Sequence, residues 1–262
     1  MEILIPVIIV TVIGIIAGVI LSLSAKFFSV PTDPKIEQIR DALPGANCGG
    51  CGYSGCDGYA EAIVNNGAEI TLCGAGGADT AKSISAIMGV DAGDIRKRVA
   101  VVHCSGTNEC TGNRFDYRGL TSCKAAVLTS GGQSACGFAC IGLGDCAAVC
   151  ENDAIKLVNG IAQISPAKCI ACRKCVGECP RGVIGIEFAD SRSVRCSSTE
   201  KGAVTRKVCT AGCIGCGKCA KVCEAGAIKL ENNLAHIDSS LCTDCGKCES
   251  ECPVKVISSG CI

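Results

Sequence analysis

Short runs of cysteine are the residues in this sequence with the clearest chemical meaning. Two runs, Cys169 to Pro180 and Cys242 to Pro253, read C-x2-C-x2-C-x3-C-P. This spacing binds four-iron clusters, three cysteines of a run holding one cluster while the fourth reaches a partner cluster. The runs therefore predict iron–sulfur sites in pairs, and electron transfer as their chemistry.

Four ligand sets follow when this rule is applied to both runs and to the cysteines before them. The sets are Cys150 with Cys169, Cys172 and Cys175; Cys223 with Cys242, Cys245 and Cys248; Cys252 with Cys213, Cys216 and Cys219; and Cys179 with Cys136, Cys140 and Cys146. In the last set Leu143 stands where the middle cysteine is expected, and Cys136 is the predicted substitute. Its counterpart Cys209 is then spare, because Cys216 has the standard spacing.

A fifth set lies nearer the N-terminus, in "NCGGCGYSGC" and the cysteine that follows it. The spacing is Cys48-x2-Cys51-x4-Cys56-x16-Cys73. The glycines between these cysteines let the backbone curl and point amides at cluster sulfurs. Twenty cysteines are thus predicted to hold five four-iron clusters. The remaining six are Cys104, Cys110, Cys123, Cys196, Cys209 and Cys261, of which Cys123 and Cys196 are predicted to share one structural role.

Zinc is the alternative occupant for such cysteines, and disulfides are the alternative chemistry. Structural zinc generally uses two separated C-x2-C pairs around one tetrahedral ion, which four dense blocks do not match. Free thiols also pack as small buried hydrophobes, the alternative for Cys104, Cys110 and Cys261. His103 and His236 are isolated and are predicted to be packing or surface residues. The sequence has no G-x-x-x-x-G-K-[ST] phosphate loop.

The N-terminal segment decides the compartment, and with it the state of the thiols. Ile3 to Ala25 contains no charge, and 23 helical residues span roughly 34 Å, enough for a bilayer core. A cleaved signal peptide is the alternative, but Glu2 and the length of the run disfavour it. Lys26, Lys35 and Arg40 follow the run, so the rest of the chain is predicted to be cytoplasmic. Thiols stay reduced there.

Composition argues against one large core. The chain has 262 residues with 26 Cys and 33 Gly, no Trp, and only eight Phe and Tyr. Several small units held together by metal clusters fit this composition better than a single packed domain. The formal net charge is zero, which gives no support to nucleic-acid binding.

A repeat of 73 residues organises the second part of the chain. Nine cysteines recur at this offset; they are Cys123, Cys136, Cys140, Cys146, Cys150, Cys169, Cys172, Cys175 and Cys179, matching Cys196 to Cys252. The segment "AIKLVNGIAQI" (154–164) likewise matches "AIKLENNLAHI" (227–237). Each segment predicts a hairpin with Asn-Gly or Asn-Asn at its turn. The second half is therefore interpreted as a duplicate of the first.

Together these features predict an α+β chain with one transmembrane helix, a small helical 4Fe-4S domain and two tandem ferredoxin-like units. The predicted boundaries are 1–26 for the transmembrane anchor, 27–46 for a juxtamembrane linker and 47–98 for the 4Fe-4S domain. A connecting region covers 99–135, unit 1 covers 136–182, a connector covers 183–208 and unit 2 covers 209–262. Helices are expected near 35–43, 57–66 and 80–88, and a strand from Val99.

The combination resembles the RnfB family, the B subunits of the Rnf complex, which is the membrane-bound, ion-translocating ferredoxin:NAD oxidoreductase. "LPGANCGGCGYSGCDGYA" (43–60) carries the resemblance most specifically, with "CIACRKCVGECP" and "CTDCGKCESECP" behind it. The resemblance implies an electron-transfer subunit of an enzyme complex, without a catalytic site of its own. The implied partners are soluble ferredoxin, flavin- and NAD-binding subunits and integral membrane subunits, at the cell membrane. Leu143, Glu151 and Glu224 depart from the motif.

Two other functions compete with this interpretation. The N-terminal motif also resembles that of corrinoid iron–sulfur proteins, which would make the chain a reductase for another redox enzyme. No corrinoid-binding segment follows the motif in this sequence. A non-redox scaffold that stores and transfers clusters is the other alternative.

Overall fold

A computed structural model describes residues 4–27, 33–91, 93 and 95–259, with side chains of the first helix from 11 to 24. This part combines short helices with two-stranded sheets, the α+β content that the sequence predicts. The helices are α1 (Leu4–Phe27), α2 (Pro34–Ala42), α3 (Cys56–Asn66), α4 (Gly77–Met88), α5 (Cys123–Ser130), α6 (Asp145–Ala148), α7 (Lys174–Glu178), α8 (Gly202–Val208), α9 (Lys218–Lys221) and α10 (Lys247–Ser250). The strands are β1 (Arg98–Val102), β2 (Ile155–Val158), β3 (Ile161–Ile164), β4 (Ile184–Phe188), β5 (Arg192–Val194), β6 (Ile228–Glu231), β7 (Leu234–Ile237) and β8 (Ile257–Ser259).

Helix α1 covers most of the uncharged N-terminal segment. Its side chains from 11 to 23 are exposed, including the large apolar Ile13, Ile15 and Leu21. Over the residues that the structure describes, no helix meets the length and apolarity needed to cross a membrane. The predicted span from Ile3 to Ala25, whose first residue lies outside the described part, is not confirmed.

Three helices form the N-terminal domain, close to where the sequence predicts them. Asp33 caps α2 by accepting a hydrogen bond from the Lys35 amide at 2.9 Å, and Pro34 occupies the first turn. Helices α2, α3 and α4 bury Ile39, Tyr59 and Ile84 between them. This small core holds the end of α3 that carries Cys56.

Two antiparallel hairpins form where the repeat predicts them. In the first, β2 pairs with β3 so that Val158 lies opposite Ile161; in the second, β6 pairs with β7. The turn residues Asn159 and Asn232 have positive φ, the conformation expected of asparagine in a tight hairpin. Helices α6 and α7 likewise begin 73 residues before α9 and α10.

Each unit receives one further strand from the chain preceding it. Strand β1 pairs with β4, with Val102 opposite Ile184, and β5 pairs with β8, with Val194 opposite Ile257. The β4 and β8 partners are 73 residues apart, but the strands β1 and β5 are 92 residues apart. The chain before unit 1 is therefore longer by 19 residues than the chain before unit 2, and Cys104 holds the structural position of Cys196.

Candidate iron–sulfur sites

The N-terminal cysteines converge on one cavity of about 370 Å³. Its thiols are those of Cys48, Cys51, Cys56 and Cys73. The Asn47 side chain accepts a hydrogen bond from the Cys56 amide at 2.8 Å, which fixes the start of α3. A Cβ at Gly55 would lie 3.0 Å from that same side-chain oxygen, so the loop needs glycine to close on Asn47.

Tyr59 holds the segment that brings Cys73 to this cavity. Its hydroxyl donates to the Glu69 carbonyl at 2.7 Å and accepts from the Leu72 amide at 3.2 Å. Burial raises the pKa of Tyr59, so the hydroxyl stays protonated and can make both hydrogen bonds. A single side chain from α3 thus positions the distant fourth cysteine.

In unit 1, the cysteines of the complete run line a second cavity, of about 350 Å³. Its thiols are those of Cys150, Cys169, Cys172 and Cys175, the set that the sequence predicts. Backbone amides point at two of the sulfurs. The Ala154 amide donates to Cys150 Sγ at 3.4 Å, and the amides of Ala171 and Ala100 donate to Cys169 Sγ at 3.4 and 3.3 Å.

Unit 2 has an equivalent cavity, of about 340 Å³. Its thiols are those of Cys223, Cys242, Cys245 and Cys248, again the predicted set. The Arg192 amide of β5 donates to Cys242 Sγ at 3.5 Å, as the Ala100 amide of β1 does in unit 1. The added strand in each unit thus also contacts the site.

The N-terminal site and the Cys169–Cys175 loop are packed directly against each other. A Cβ at Gly50 would lie 3.2 Å from the Ala171 carbonyl oxygen and 3.3 Å from Cys172 Cα. A Cβ at Gly74 would lie 2.9 Å from the Ile170 carbonyl oxygen. Glycine at both positions therefore lets the two cysteine-bearing loops touch, and Ala171 lines both cavities.

The other site of unit 1 differs from the prediction in its fourth thiol. Burial raises the pKa of Cys146 to about 12, and the neighbouring thiolates of Cys140, Cys123 and Cys179 raise it further. Cys123 begins α5, where its amide donates to Asp145 Oδ1 at 2.8 Å. Leu143, which occupies the place of the missing cysteine, packs against Cys123. Cys123 therefore stands beside Cys140, Cys146 and Cys179.

Cys136, the predicted fourth ligand, faces another cavity, which it lines together with Cys104, Cys196 and Cys209. Cys123 and Cys196, equated by the repeat, lie at different sites. The reason is the longer chain before unit 1, whose extra residues include α5 and deliver Cys123 next to Leu143. The counterpart site in unit 2 needs no such helix, because Cys216 is present.

In that counterpart site, the thiols are the predicted ones. Burial raises the pKa of Cys219 to about 11, and the thiolates of Cys213, Cys216 and Cys252 raise it further. High pKa values mean that these buried thiols are protonated at neutral pH when nothing is bound. Binding of iron at such a site releases protons and is therefore favoured by higher pH.

The two glutamates that depart from the motif have a common kind of partner. Glu151 forms an ion pair with Lys174 at 2.5 Å, and Glu224 forms one with Lys247. Each lysine begins a helix, α7 or α10, that carries a cysteine of the same cavity. The ion pairs thus fasten the two ends of each ligand set, although their exposure keeps their contribution to stability small.

Four thiols around one cavity, with amides directed at sulfur, fit a four-iron cluster. Within the described ranges, no group of three or more His, Cys, Asp or Glu side chains is placed to hold a single metal ion. A single ion gathers its thiolates at about 2.3 Å. A cube instead offers a separate iron atom to each cysteine, so the thiols around it stand farther apart.

Two family descriptions match this chain in the regions of these sites. "Putative Fe-S cluster" matches residues 43–74, and "4Fe-4S dicluster domain" matches residues 139–205 and 212–256. These regions contain the N-terminal cavity and most of the thiols of units 1 and 2. The matches show iron–sulfur domains of the ferredoxin kind.

Three relatives match nearly the whole chain. The B subunit of the Na⁺-translocating ferredoxin:NAD⁺ oxidoreductase complex of Acetobacterium woodii is 44% identical over 98% of this chain and 78% of its own. The B subunit of the ion-translocating oxidoreductase complex of Methanosarcina acetivorans is 39% identical over 93% of both chains. The B subunit of the proton-translocating ferredoxin:NAD⁺ oxidoreductase complex of Clostridium ljungdahlii is 39% identical over 97% of this chain and 92% of its own.

Proposed function

Since this chain belongs to the RnfB family, the B subunits of the ion-translocating oxidoreductase (Rnf) complexes, we propose that it relays electrons through at least five four-iron clusters. The observation that carries this proposal is the set of cavities each lined by four cysteines. The proposed ligand sets are Cys48, Cys51, Cys56 and Cys73; Cys150, Cys169, Cys172 and Cys175; Cys123, Cys140, Cys146 and Cys179; Cys213, Cys216, Cys219 and Cys252; and Cys223, Cys242, Cys245 and Cys248. Cys123 replaces Cys136 in this proposal.

Four-iron clusters supply one-electron transfer without movement of protein atoms. The chain's own contribution is to hold them, to shield them from water and to set their potentials. The amides of Ala100, Ala171 and Arg192, which point at cysteine sulfurs, do the last of these, because hydrogen bonds to sulfur stabilise the reduced state.

The order of the first two clusters follows from the contact between their loops. Gly50 and Gly74 allow the N-terminal loop to touch Ile170, Ala171 and Cys172. Electrons would pass across this contact between the N-terminal domain and unit 1. The 73-residue duplication then extends the path through unit 2.

We also propose that the N-terminal segment anchors the chain to the cell membrane as a single span. Ile3 to Ala25 is uncharged, and α1 has 24 residues, or about 36 Å at the helical rise. The exposed large side chains Val12, Ile13, Ile16, Val19, Ile20 and Leu21 give it an apolar surface. Lys26, Lys35 and Arg40 assign the iron–sulfur units to the cytoplasmic side.

The partners proposed for this chain follow from the names of its relatives. Two of those relatives belong to ferredoxin:NAD⁺ oxidoreductase complexes. Soluble ferredoxin on one side, and flavin- and NAD-binding or integral membrane subunits on the other, are therefore the proposed donor and acceptors. The electron path would end at whichever loops these partners contact.

A redox titration followed by EPR tests the relay against a cluster store. The full chain, purified without oxygen in detergent, is expected to take up and release electrons reversibly at low potential, near the roughly −400 mV of plant-type ferredoxins. The reduced spectrum should show interacting spins, because neighbouring clusters are close. Clusters that pass to an apo-protein acceptor and do not titrate reversibly would identify a scaffold instead.

A further inference from the structure

One cavity of the structure brings together four cysteines that the five proposed clusters do not use. It has about 320 Å³, close to the cavities of the proposed cluster sites, and its thiols are those of Cys104, Cys136, Cys196 and Cys209. Cys104, Cys136 and Cys209 are buried, and Cys196 is half-buried. The cysteines come from the connecting region, unit 1, the connector and unit 2, so the cavity lies between the two units.

The sulfurs at this cavity receive backbone hydrogen bonds of the kind found at the proposed cluster sites. Cys104 Sγ accepts from the amides of Gly106 and Cys140, each at 3.4 Å. Cys196 Sγ accepts from the Ser198 amide at 3.4 Å. Amides directed at sulfur stabilise thiolates and bound clusters, and a thiol that merely fills a core has no need of them.

Glycine at position 106 keeps the space between two of these thiols open. A Cβ there would lie 3.5 Å from Cys104 Sγ and 3.7 Å from Cys209 Sγ. The two sulfurs therefore flank this glycine, one from the segment after β1 and the other from the end of α8. They approach the same cavity from opposite units.

The site also has an internal symmetry. Cys104 and Cys196 occupy equivalent positions after β1 and β5, and each is followed two residues later by an amide that donates to its sulfur. Cys136 and Cys209 are equivalent in the 73-residue repeat. Each half of the duplicated chain thus contributes the same two cysteines to one shared site.

We propose that Cys104, Cys136, Cys196 and Cys209 bind a further four-iron cluster at the junction of units 1 and 2. The site goes beyond the proposed function, because all five other clusters have complete ligand sets without it. As a carrier it accepts one electron from a reduced cluster of one unit, which is oxidised by one electron, and gives it to the other unit. No bond or proton changes place. This site accounts for Cys136 and Cys209, the fifth cysteine that precedes each set of four.

Serine substitutions, singly and together, test whether the site is shared. In anaerobically purified full chain, Cys136→Ser and Cys209→Ser are each expected to lose about four irons and four sulfides. The double variant is expected to lose no more than either single variant, because both cysteines serve one cluster. A loss of about eight in the double variant would overturn the proposal, since it would mean that the two cysteines complete two separate clusters.

Cys110→Ser is the matched control, because Cys110 lies in the same region but does not line the cavity. It is expected to keep the full iron content and the EPR spectrum of the unaltered protein. Cys196→Ser, at the half-buried position, is the second variant in case replacement of a buried cysteine prevents folding, and it too should lose about four irons. Full iron in Cys196→Ser, or zinc without sulfide at this site, would contradict the proposal.

The iron content of the unaltered chain separates this inference from the proposed function. About 24 irons per chain supports both, whereas about 20 with a reversible redox titration would leave the five clusters standing and remove the sixth. If the single serine variants lose nothing and the unaltered protein still titrates, only this inference fails.

Discussion

At the scale of residues, one missing cysteine shows how the chain keeps a ligand set complete. Leu143 cannot bind iron, and it packs against Cys123, which α5 brings beside Cys140, Cys146 and Cys179. In unit 2 the standard position holds Cys216, and the counterpart of Cys123 is free for another site. A ligand has thus moved from a loop of the motif to a helix outside it.

A ligand exchange between these two positions gives a direct test. We expect Cys123→Ser to lose about four irons per chain, because the cluster beside it keeps only three thiolates. Adding Leu143→Cys to Cys123→Ser should restore that iron, because it rebuilds the motif of unit 2.

Leu143→Ala in the Cys123→Ser background is the control, since it makes the same space without a thiol and should not restore iron. Iron loss on Cys136→Ser that Leu143→Cys repairs, with Cys123→Ser retaining full iron, would show that Cys136 is the ligand of this cluster.

At the scale of elements, the strands added to each unit have two functions. Strand β1 pairs with β4 through one edge and offers the Ala100 amide to Cys169 Sγ from the other, and β5 does the same with Arg192 and Cys242. Beyond these strands the chain continues directly into Cys104 and Cys196. The strands therefore support one site and deliver a cysteine to the next.

Removing the amide at position 100 should shift one potential and leave the fold in place. We expect Ala100→Pro to make the cluster at Cys150, Cys169, Cys172 and Cys175 harder to reduce, because its sulfur loses a hydrogen bond that favours the reduced state. Proline is tolerated at a strand position whose amide lies outside the ladder. The measurement is an EPR-monitored titration, which should show one component moved to lower potential with full iron content.

Ala100→Gly is the matched control, because it removes the same methyl group and keeps the amide. Its titration should coincide with that of the unaltered protein. An equal shift in both variants would show that packing at this position, and not the hydrogen bond, sets the potential.

Much of this arrangement can be predicted from the sequence, because cluster motifs and hairpins are local patterns. The spacing of Cys169 to Cys179 indicates its own ligands, and Asn159-Gly160 indicates its own turn, so the predicted hairpin and the helices near α2, α3 and α4 are confirmed. The strand at Val99 is confirmed too. These features depend on residues a few positions apart.

The predictions that differ from the structure depend on contacts between distant segments. The repeat equates Cys123 with Cys196, but pairing of β1 with β4 and of β5 with β8 gives Cys104 and Cys196 the same place. A weak sequence signal for this exists, since "VHCSGT" (102–107) and "VRCSST" (194–199) share four of six residues at an offset of 92. A single offset of 73 hides it.

At the scale of the whole molecule, the chain arranges its sites in a continuous row. The N-terminal domain touches unit 1 through Gly50 and Gly74, and the cavity of Cys104, Cys136, Cys196 and Cys209 joins unit 1 to unit 2. With few aromatic side chains, the cores around these sites consist largely of cysteine and small aliphatic residues. Bound clusters would therefore supply much of the stability of the folded state, as they do in small metal-binding domains.

The most direct measurement of the central claim is the iron, acid-labile sulfide and thiol content of the full chain, purified without oxygen. If reduced cysteines hold four-iron clusters at these cavities, iron and sulfide will be equal, at about 24 of each per chain. Zinc in place of iron, or disulfides with no bound sulfide, would contradict the account.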